Sequence, residues 1–338
     1  MEINGTKCHE TLRRTTKPLL AFQKGCDFDA WRGALKEKFM ELTGLNVIAE
    51  NACAPSLTIE SDERKQGYRQ IRFVFYSEVD EAVPCYLLIP DTGKETYPLA
   101  ITLQGHSTGF HNSIGVIKYE RDASYQPRGC FGLQAVEQGY ISLCIEQRAM
   151  GERRVQSETE RKRGCEFQSH NALMLGRTTI GERVWDVSRA LDVIAQHFPQ
   201  CDMDKILITG NSGGGTASFY DACYDELIKV SVPSCAFCSY TSSIMAMHHC
   251  TCNFIPGALR QFEMGDLAAL IAPRKLAVVA GELDAIFPID GVREAFATAS
   301  DIFTAAGCAE NLSLTVTPKN HWWCADIVWD KIREITGW

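Results

Sequence analysis

The sequence predicts an α/β protein with a mostly parallel central sheet covered by helices on both faces. Three observations predict it. From residue 99 onward, short strand-like runs alternate with longer segments of helical period. The runs are nearly continuous in apolar residues, the pattern of strands buried on both sides. In the segment Gly181 to Phe198, residues Val184, Val187, Leu191, Ile194 and Phe198 form one apolar stripe, with Asp186, Arg189 and Asp192 expected to face elsewhere. Repeated strand–helix units of this kind stack into a sheet with helical layers above and below.

In chain order, Asp29 to Leu42 reads as a helix, because Trp31, Leu35, Phe39 and Leu42 share one face. Arg72 to Val79 and Val83 to Ile89 read as two strands joined by a turn at Asp80-Glu81. The strands that follow are Leu99 to Leu103, Ile141 to Ile145, Lys205 to Thr209, Lys275 to Ala280 and Leu312 to Thr317. Helices are expected over Phe131 to Gln138, Gly213 to Leu227, Gly291 to Ala306 and Cys324 to Ile335. Gly151 to Gly164, with five basic and three acidic residues, reads first as a solvated loop and second as a polar interface or pocket lid. The division expected is an N-terminal helical extension over residues 1–60 and one catalytic unit over residues 61–338.

With 338 residues, 45% hydrophobic and 22% charged, the composition is that of a soluble globular protein. A net charge of −8 argues against a nucleic-acid partner. No apolar stretch is long enough to cross a bilayer. The first residues lack the apolar core of a signal peptide, and several of the fifteen cysteines sit in apolar text, so a reducing cytoplasm is expected.

The chemistry is concentrated at strand ends. Gly210-Asn211-Ser212-Gly213-Gly214 directly follows the strand Lys205 to Thr209 and opens a helix. A serine on such a sharp turn is lifted clear of the sheet, and the close approach of strand and helix requires glycine at 210 and 214. Two later strand ends carry an acid and a base: Asp284 in Gly281 to Pro288, and His321 after Thr317. Glu282 and Asp290 compete with Asp284, but Glu282 follows the strand glycine immediately and Asp290 reads as a helix cap. Ser212 would be the nucleophile, His321 the general base, and Asp284 the group that orients and stabilises the imidazolium. The oxyanion donors expected are the backbone N–H groups of Gly213 and His106, the latter in the loop after Leu103. The imidazole of His106 is then spare: it either lines the pocket or, as the favoured expectation, hydrogen-bonds within its own loop.

Together these segments resemble the acetyl xylan esterase-like branch of the α/β-hydrolases, which is related to dienelactone hydrolases. The resemblance runs from about Phe73 to the C-terminus. It rests on Leu103-Gln104-Gly105-His106, Glu146-Gln147-Arg148-Ala149-Met150-Gly151, Asp186 to Ile194 leading into the Ser212 pentapeptide, Gly281 to Pro288, and His321. Glu146 departs from the aspartate of many relatives and Ala149 from a glycine. The N-terminal stretch is not explained by it. The resemblance implies the α/β-hydrolase fold and hydrolysis of small acyl esters, often acetyl groups on sugars, without metal or cofactor. It also implies homo-oligomers, as in many relatives. A cytoplasmic member would act on acetylated oligosaccharides rather than polymer.

Cys235, Cys238, Cys250 and Cys252, with His248 and His249 between, have donor types that suit zinc. The C-x-C spacing is unusual for such a site, so reduced cysteines and no metal are expected. Trp322 and Trp323 follow His321 directly. As chain neighbours they cannot both line a pocket, so one belongs to the core. Besides the serine esterase, the same triad would serve a lactone or uronate-ester hydrolase or an acyltransferase. A peptidase lacks support, there being no propeller-like domain to select peptides. A non-catalytic binding protein should have lost a triad member, and none is missing.

Overall fold

The computed structural model describes residues 5–155 and 164–338. Nine strands of the described residues form one sheet. They are β1 (Leu57–Lys65), β2 (Tyr68–Glu78), β3 (Glu81–Pro90), β4 (Tyr97–Leu103), β5 (Ile141–Ile145), β6 (Cys201–Asn211), β7 (Ile228–Ser234), β8 (Lys275–Gly281) and β9 (Leu312–Thr317). Their spatial order is β1-β2-β3-β5-β4-β6-β7-β8-β9. The pairs β1–β2, β2–β3 and β3–β5 are antiparallel, and every pair from β5–β4 to β8–β9 is parallel. The β2–β3 hairpin turns at Val79-Asp80, with Glu78 opposite Glu81 and Asp80 at φ +63°. A two-residue hairpin loop needs such a left-handed residue, and aspartate tolerates it better than most.

The pleat sorts the strand residues into two cores. Leu99, Ile101 and Leu103 of β4, Ile206 and Ile208 of β6, and Leu276, Val278 and Ala280 of β8 face the larger one. Their alternating neighbours Ala100, Leu207, Ala277 and Val279 face the other. The helix Thr179–His197 covers the larger face with all four predicted stripe residues from Val184 to Ile194, and Phe198 follows them into the same core. The helices Phe131–Glu137 and Ala325–Thr336 cover the opposite face through Phe131, Ala135, Val328, Trp329 and Ile332.

The helix Phe28–Thr43 begins where the Asp27 side chain accepts a hydrogen bond from Ala30 N at 3.1 Å, and ends at Gly44, φ +76°. Leu35 and Phe39 are fully buried in the larger core, each contributing about 1.5–3 kcal/mol of burial energy. Leu45 and Ile48 of the next helix, Leu45–Ala49, join them.

Three expectations need correction. Arg189 and Asp192 pair with each other near the surface, but Asp186 on the same helix is buried rather than turned outward. It takes Arg148 Nη2 and Arg153 Nη1 at 2.7 Å each. Arg148 also meets Glu78 at 2.9 Å. The second correction follows from the first. Gly151–Arg153 is a 3₁₀ turn that tucks Arg153 into this buried network, so the charged stretch is not wholly solvated. Its residues 156–163 lie outside the described residues. The pairing compensates for removing the charges from water, which an isolated buried ion cannot do. Third, β1 was not foreseen: its residues are mostly exposed and charged, with no apolar alternation to mark them.

Candidate active site

Ser212 stands between β6 and the helix Gly213–Tyr224, with φ +58° and ψ −124°, a conformation that non-glycine residues rarely adopt. The turn is held from both sides. Ser212 N donates to Ser234 O of β7 at 2.9 Å, and Thr216 N donates to Ser212 O at 2.8 Å. A Cβ on Gly210 or on Gly214 would run into the carbonyl oxygen of Leu103 on β4. Glycine is required at both positions, as the sequence suggests, but the obstacle comes from the neighbouring strand as well as from the turn.

Asp284 follows β8 and is buried. Its Oδ1 accepts from Ile286 N at 2.8 Å and Phe287 N at 3.1 Å, and its Oδ2 accepts from His321 Nδ1 at 2.8 Å. Burial works against the charged form, but the hydrogen bonds from His321 and from the two backbone N–H groups outweigh it, and the pKa of Asp284 lies below its ordinary value. The Phe287 ring stacks on His321, with centroids 5.8 Å apart and planes 14° apart. The second ring nitrogen of His321, Nε2, is buried and has no hydrogen-bond partner among the described residues.

His321 and Ser212 line one cavity of about 200 Å³, together with Gln104, Gly105, His106 and Trp323. A larger cavity of about 940 Å³ lies between the helix Lys7–Thr15 and residues 251–260, and none of Ser212, Asp284 or His321 lines it. The loop after β4 packs against the start of the Ser212 helix. An ideal Cβ on Gly105 would stand 3.1 Å from Ser212 Cβ and 3.6 Å from Gly213 N.

Buried Glu146, at the end of β5, braces that loop. It accepts from Gln104 Nε2 at 2.8 Å, from Phe110 N at 3.1 Å and from Glu152 N at 3.1 Å. Burial lifts its pKa to about 7 even against those hydrogen bonds. Ala149, where a glycine is usual in the family resembled, has φ +68°, which accounts for the glycine preference. Arg128 lines the cavity as well, with its guanidinium 3.7 Å from the Trp322 ring centroid and no carboxylate paired to it among the described residues. Burial lowers its pKa. Trp323 is the core tryptophan, bonded through Nε1 to Gln134 Oε1 at 3.0 Å, whereas Trp322 is 42% exposed.

The cysteines are free, as expected, and the expectation about His106 changes. The four cysteines grouped by sequence do not meet. Cys235 lies against Asp284 and His321, with its thiol pushed up to about 12 by burial first and by Asp284 second, which leaves it a poor competing nucleophile. Cys238 faces Pro288 O at 3.7 Å. Cys250 and Cys252 gather instead with Cys165, which sequence reading did not single out. The His106 imidazole does not bond within its loop. Its Nε2 lies 3.2 Å from Cys252 Sγ and 3.5 Å from Cys165 Sγ.

Among the described residues, no helix is long and apolar enough to cross a membrane. The chain is similar to a candidate hydrolase, YtaP, of Bacillus subtilis strain 168, at 25% identity over 284 residues, covering 83% of this chain and 91% of that one. Its fold is similar to that of a candidate acetyl xylan esterase from Bacteroides fragilis NCTC 9343, with TM-score 0.81, 18% identity and coverage of 99% and 96% of the two chains. A glucuronoyl esterase from Solibacter usitatus superposes with TM-score 0.67 at 14% identity, covering 95% of this chain and 97% of that one. The model of the Abhydrolase family matches residues 5–305. The protein therefore belongs to the Abhydrolase family and has the α/β-hydrolase fold.

Proposed function

We propose that this protein is a serine carboxylesterase that releases small acyl groups, acetyl above all, from carbohydrate esters. The observation that carries this is His321: its Nδ1 is anchored to Asp284, its Nε2 is buried and unpartnered among the described residues, and the residue lines the cavity that Ser212 also lines. An imidazole so held is oriented to accept a proton at Nε2.

In this reading Ser212 Oγ attacks the ester carbonyl carbon as His321 Nε2 takes its proton. The oxyanion lies at the start of the helix Gly213–Tyr224, facing the backbone N–H of Gly213 and that of His106. Collapse of the tetrahedral intermediate returns the proton from His321 to the departing alkoxide and leaves an acyl-Ser212. Water, activated by the same imidazole, then releases the acid. Ionised Asp284 holds the imidazolium through both halves. A cavity of about 200 Å³ suits a small acyl group with part of its alcohol, and the relatives named for acetyl xylan and glucuronoyl esters point to sugar substrates. Cytoplasmic residence and homo-oligomer formation are part of the same reading.

Arg128 favours a second reading, an ester flanked by an anionic sugar acid, because an unpaired guanidinium at the cavity seeks a carboxylate. Hydrolysis of aryl esters from acetyl to octanoyl, by the wild-type protein and Ser212→Ala, tests the main reading. Acetyl-selective turnover lost in the variant supports it; turnover unchanged in Ser212→Ala refutes it. Arg128→Gln decides the second reading. A fall of tenfold or more in kcat/KM confined to esters beside a carboxylate supports it, and an equal effect on neutral esters removes it.

A further inference from the structure

The cluster beside the nucleophile has the composition and spacing of a closed metal centre. Three distant segments build it: His106 in the loop after β4, Cys165 just before the helix Glu166–Met174, and Cys250 and Cys252 around the turn Thr251–Asn253. One ligand atom from each residue lies within 4.8 Å of all the others. Zinc held by sulfur at about 2.3 Å and nitrogen at about 2.0–2.1 Å places tetrahedral S···S and S···N edges at about 3.8 and 3.6 Å. The observed His106 Nε2 distances of 3.2 and 3.5 Å to Cys252 and Cys165 lie close to such an edge. A disulfide would bring two sulfurs to about 2.0 Å, yet all three cysteines are free, and pairing two would strand the third. Cys165 and Cys252 are buried, Cys250 is half-buried, and Ala149 packs against them. His106, more exposed, is the ligand that reaches the cavity wall.

Arg183 supplies an independent argument. It is 3% exposed, and its Nε and Nη2 reach the Arg148 carbonyl oxygen at 3.3 and 3.1 Å. Among the described residues no carboxylate lies at ion-pair distance from it; Cys252, Cys165 and Cys250 surround its guanidinium, and the buried Asp221 carboxyl acts on it only from beyond that distance. A guanidinium buried without a counter-charge is costly. One Zn²⁺ with three thiolates and a neutral imidazole carries a net charge of −1, which matches the single positive charge of Arg183.

We propose that His106 Nε2 and the thiolates of Cys165, Cys250 and Cys252 bind one zinc ion tetrahedrally, with Arg183 neutralising the complex. Binding replaces three S–H bonds by Zn–S bonds and releases three protons, with no change of oxidation state. Four protein ligands leave no open position, so the ion fastens the Gln104–Gly105–His106 loop rather than polarising substrate. An ideal Cβ on Gly213 would lie 3.0 Å from His106 Nδ1, so the fastened ring also borders the start of the Ser212 helix. The effect on ester hydrolysis rests on the esterase reading; the metal site does not.

The test is the zinc content of the untagged full chain, purified without added metal or chelator, followed by exchange for cobalt. About one zinc per chain is expected. The cobalt form should show thiolate-to-cobalt charge transfer in the near ultraviolet and intense visible bands of tetrahedral symmetry. Ser212→Ala and Cys238→Ser should keep the metal, and Cys165→Ser and Cys252→Ser should lose it. Should those two variants fail to fold, the wild-type zinc content and cobalt spectrum decide alone. The proposal is overturned if folded wild-type protein takes up no zinc against a chromophoric chelator. It is equally overturned by a cobalt spectrum without thiolate bands, or by alkylation and mass mapping that find a disulfide among the three cysteines. Zinc bound with no ester hydrolysed would refute the esterase reading and leave the metal site standing.

Discussion

Replacing Asp284 with asparagine alters a single atom of the site, and the structure fixes which way the amide must turn. Asp284 Oδ1 accepts two backbone N–H groups, from Ile286 at 2.8 Å and Phe287 at 3.1 Å. An amide nitrogen placed there would oppose both donors and leave each buried N–H unsatisfied, at about 1–3 kcal/mol apiece. The carbonyl oxygen of the new side chain therefore keeps that position, and its NH₂ faces His321 Nδ1, where a carboxylate oxygen now lies at 2.8 Å. A donor facing Nδ1 turns that nitrogen into the acceptor and moves the ring proton to Nε2. The nitrogen that should take the Ser212 proton is then already protonated. Restoring the productive tautomer opposes two donors and forgoes a charge-assisted hydrogen bond, together about 4–5 kcal/mol. At about 1.4 kcal/mol per decade, kcat for aryl acetate should fall by about 10³–10⁴, in line with loss of the orienting carboxylate in a serine triad. KM should barely move, because Asp284 does not line the cavity. Initial rates over a range of substrate concentrations, with a melting curve to show that the variant is folded, give both constants. A folded variant within tenfold of wild-type kcat would refute the tautomer argument and the role given to Asp284.

Other substitutions probe the frame. Asp186→Asn should cost about 3–5 kcal/mol near neutral pH, since it leaves the buried Arg148 and Arg153 short of their shared carboxylate. Burial opposes the charge on Asp186, but the two arginines dominate and hold its pKa below the ordinary value. Its stabilising effect is therefore complete above a pH of about 4 and fades as pH falls toward the depressed folded value, so the variant's deficit in urea melts should shrink in acid. Gly214→Ala should lower the urea midpoint by the equivalent of about 1–3 kcal/mol, because the methyl meets the Leu103 carbonyl oxygen. Gly33→Ala, inside the helix Phe28–Thr43 with nothing within 4 Å of the added carbon, should raise stability by about 0.5–1 kcal/mol.

How much of this was legible depended on how local the cause is. Strand β5 begins and ends where its apolar run does, because a strand buried on both faces has no other way to read. The placement of Ser212, Asp284 and His321 at strand ends could be read from glycine, turn and chain order, since in this fold functional groups collect at the carboxyl edge of the sheet. The network of Glu78, Arg148, Arg153 and Asp186 was hidden. A charged residue at a helix position normally signals water, and the paired residues lie as many as 70 positions apart along the chain. The grouping of His106 with Cys165, Cys250 and Cys252 was hidden for the same reason. Linear spacing pointed to Cys235 and Cys238, but after β7 the chain carries those two into the core before it returns at Cys250.

The contact of Gly210 and Gly214 with the Leu103 carbonyl oxygen bears on mechanical tolerance. Leu103 pairs with Gly210 in the sheet, and the very next residues are Gln104, Gly105 and His106. The turn bearing Ser212 and the loop lying against Gly213 are thus gauged from a single reference point, with no flexible chain in between. A bend or twist of the sheet that displaces one displaces the other by nearly the same vector. Thermal motion at this edge is common-mode: it moves the paired groups through space while the gap between them stays nearly constant.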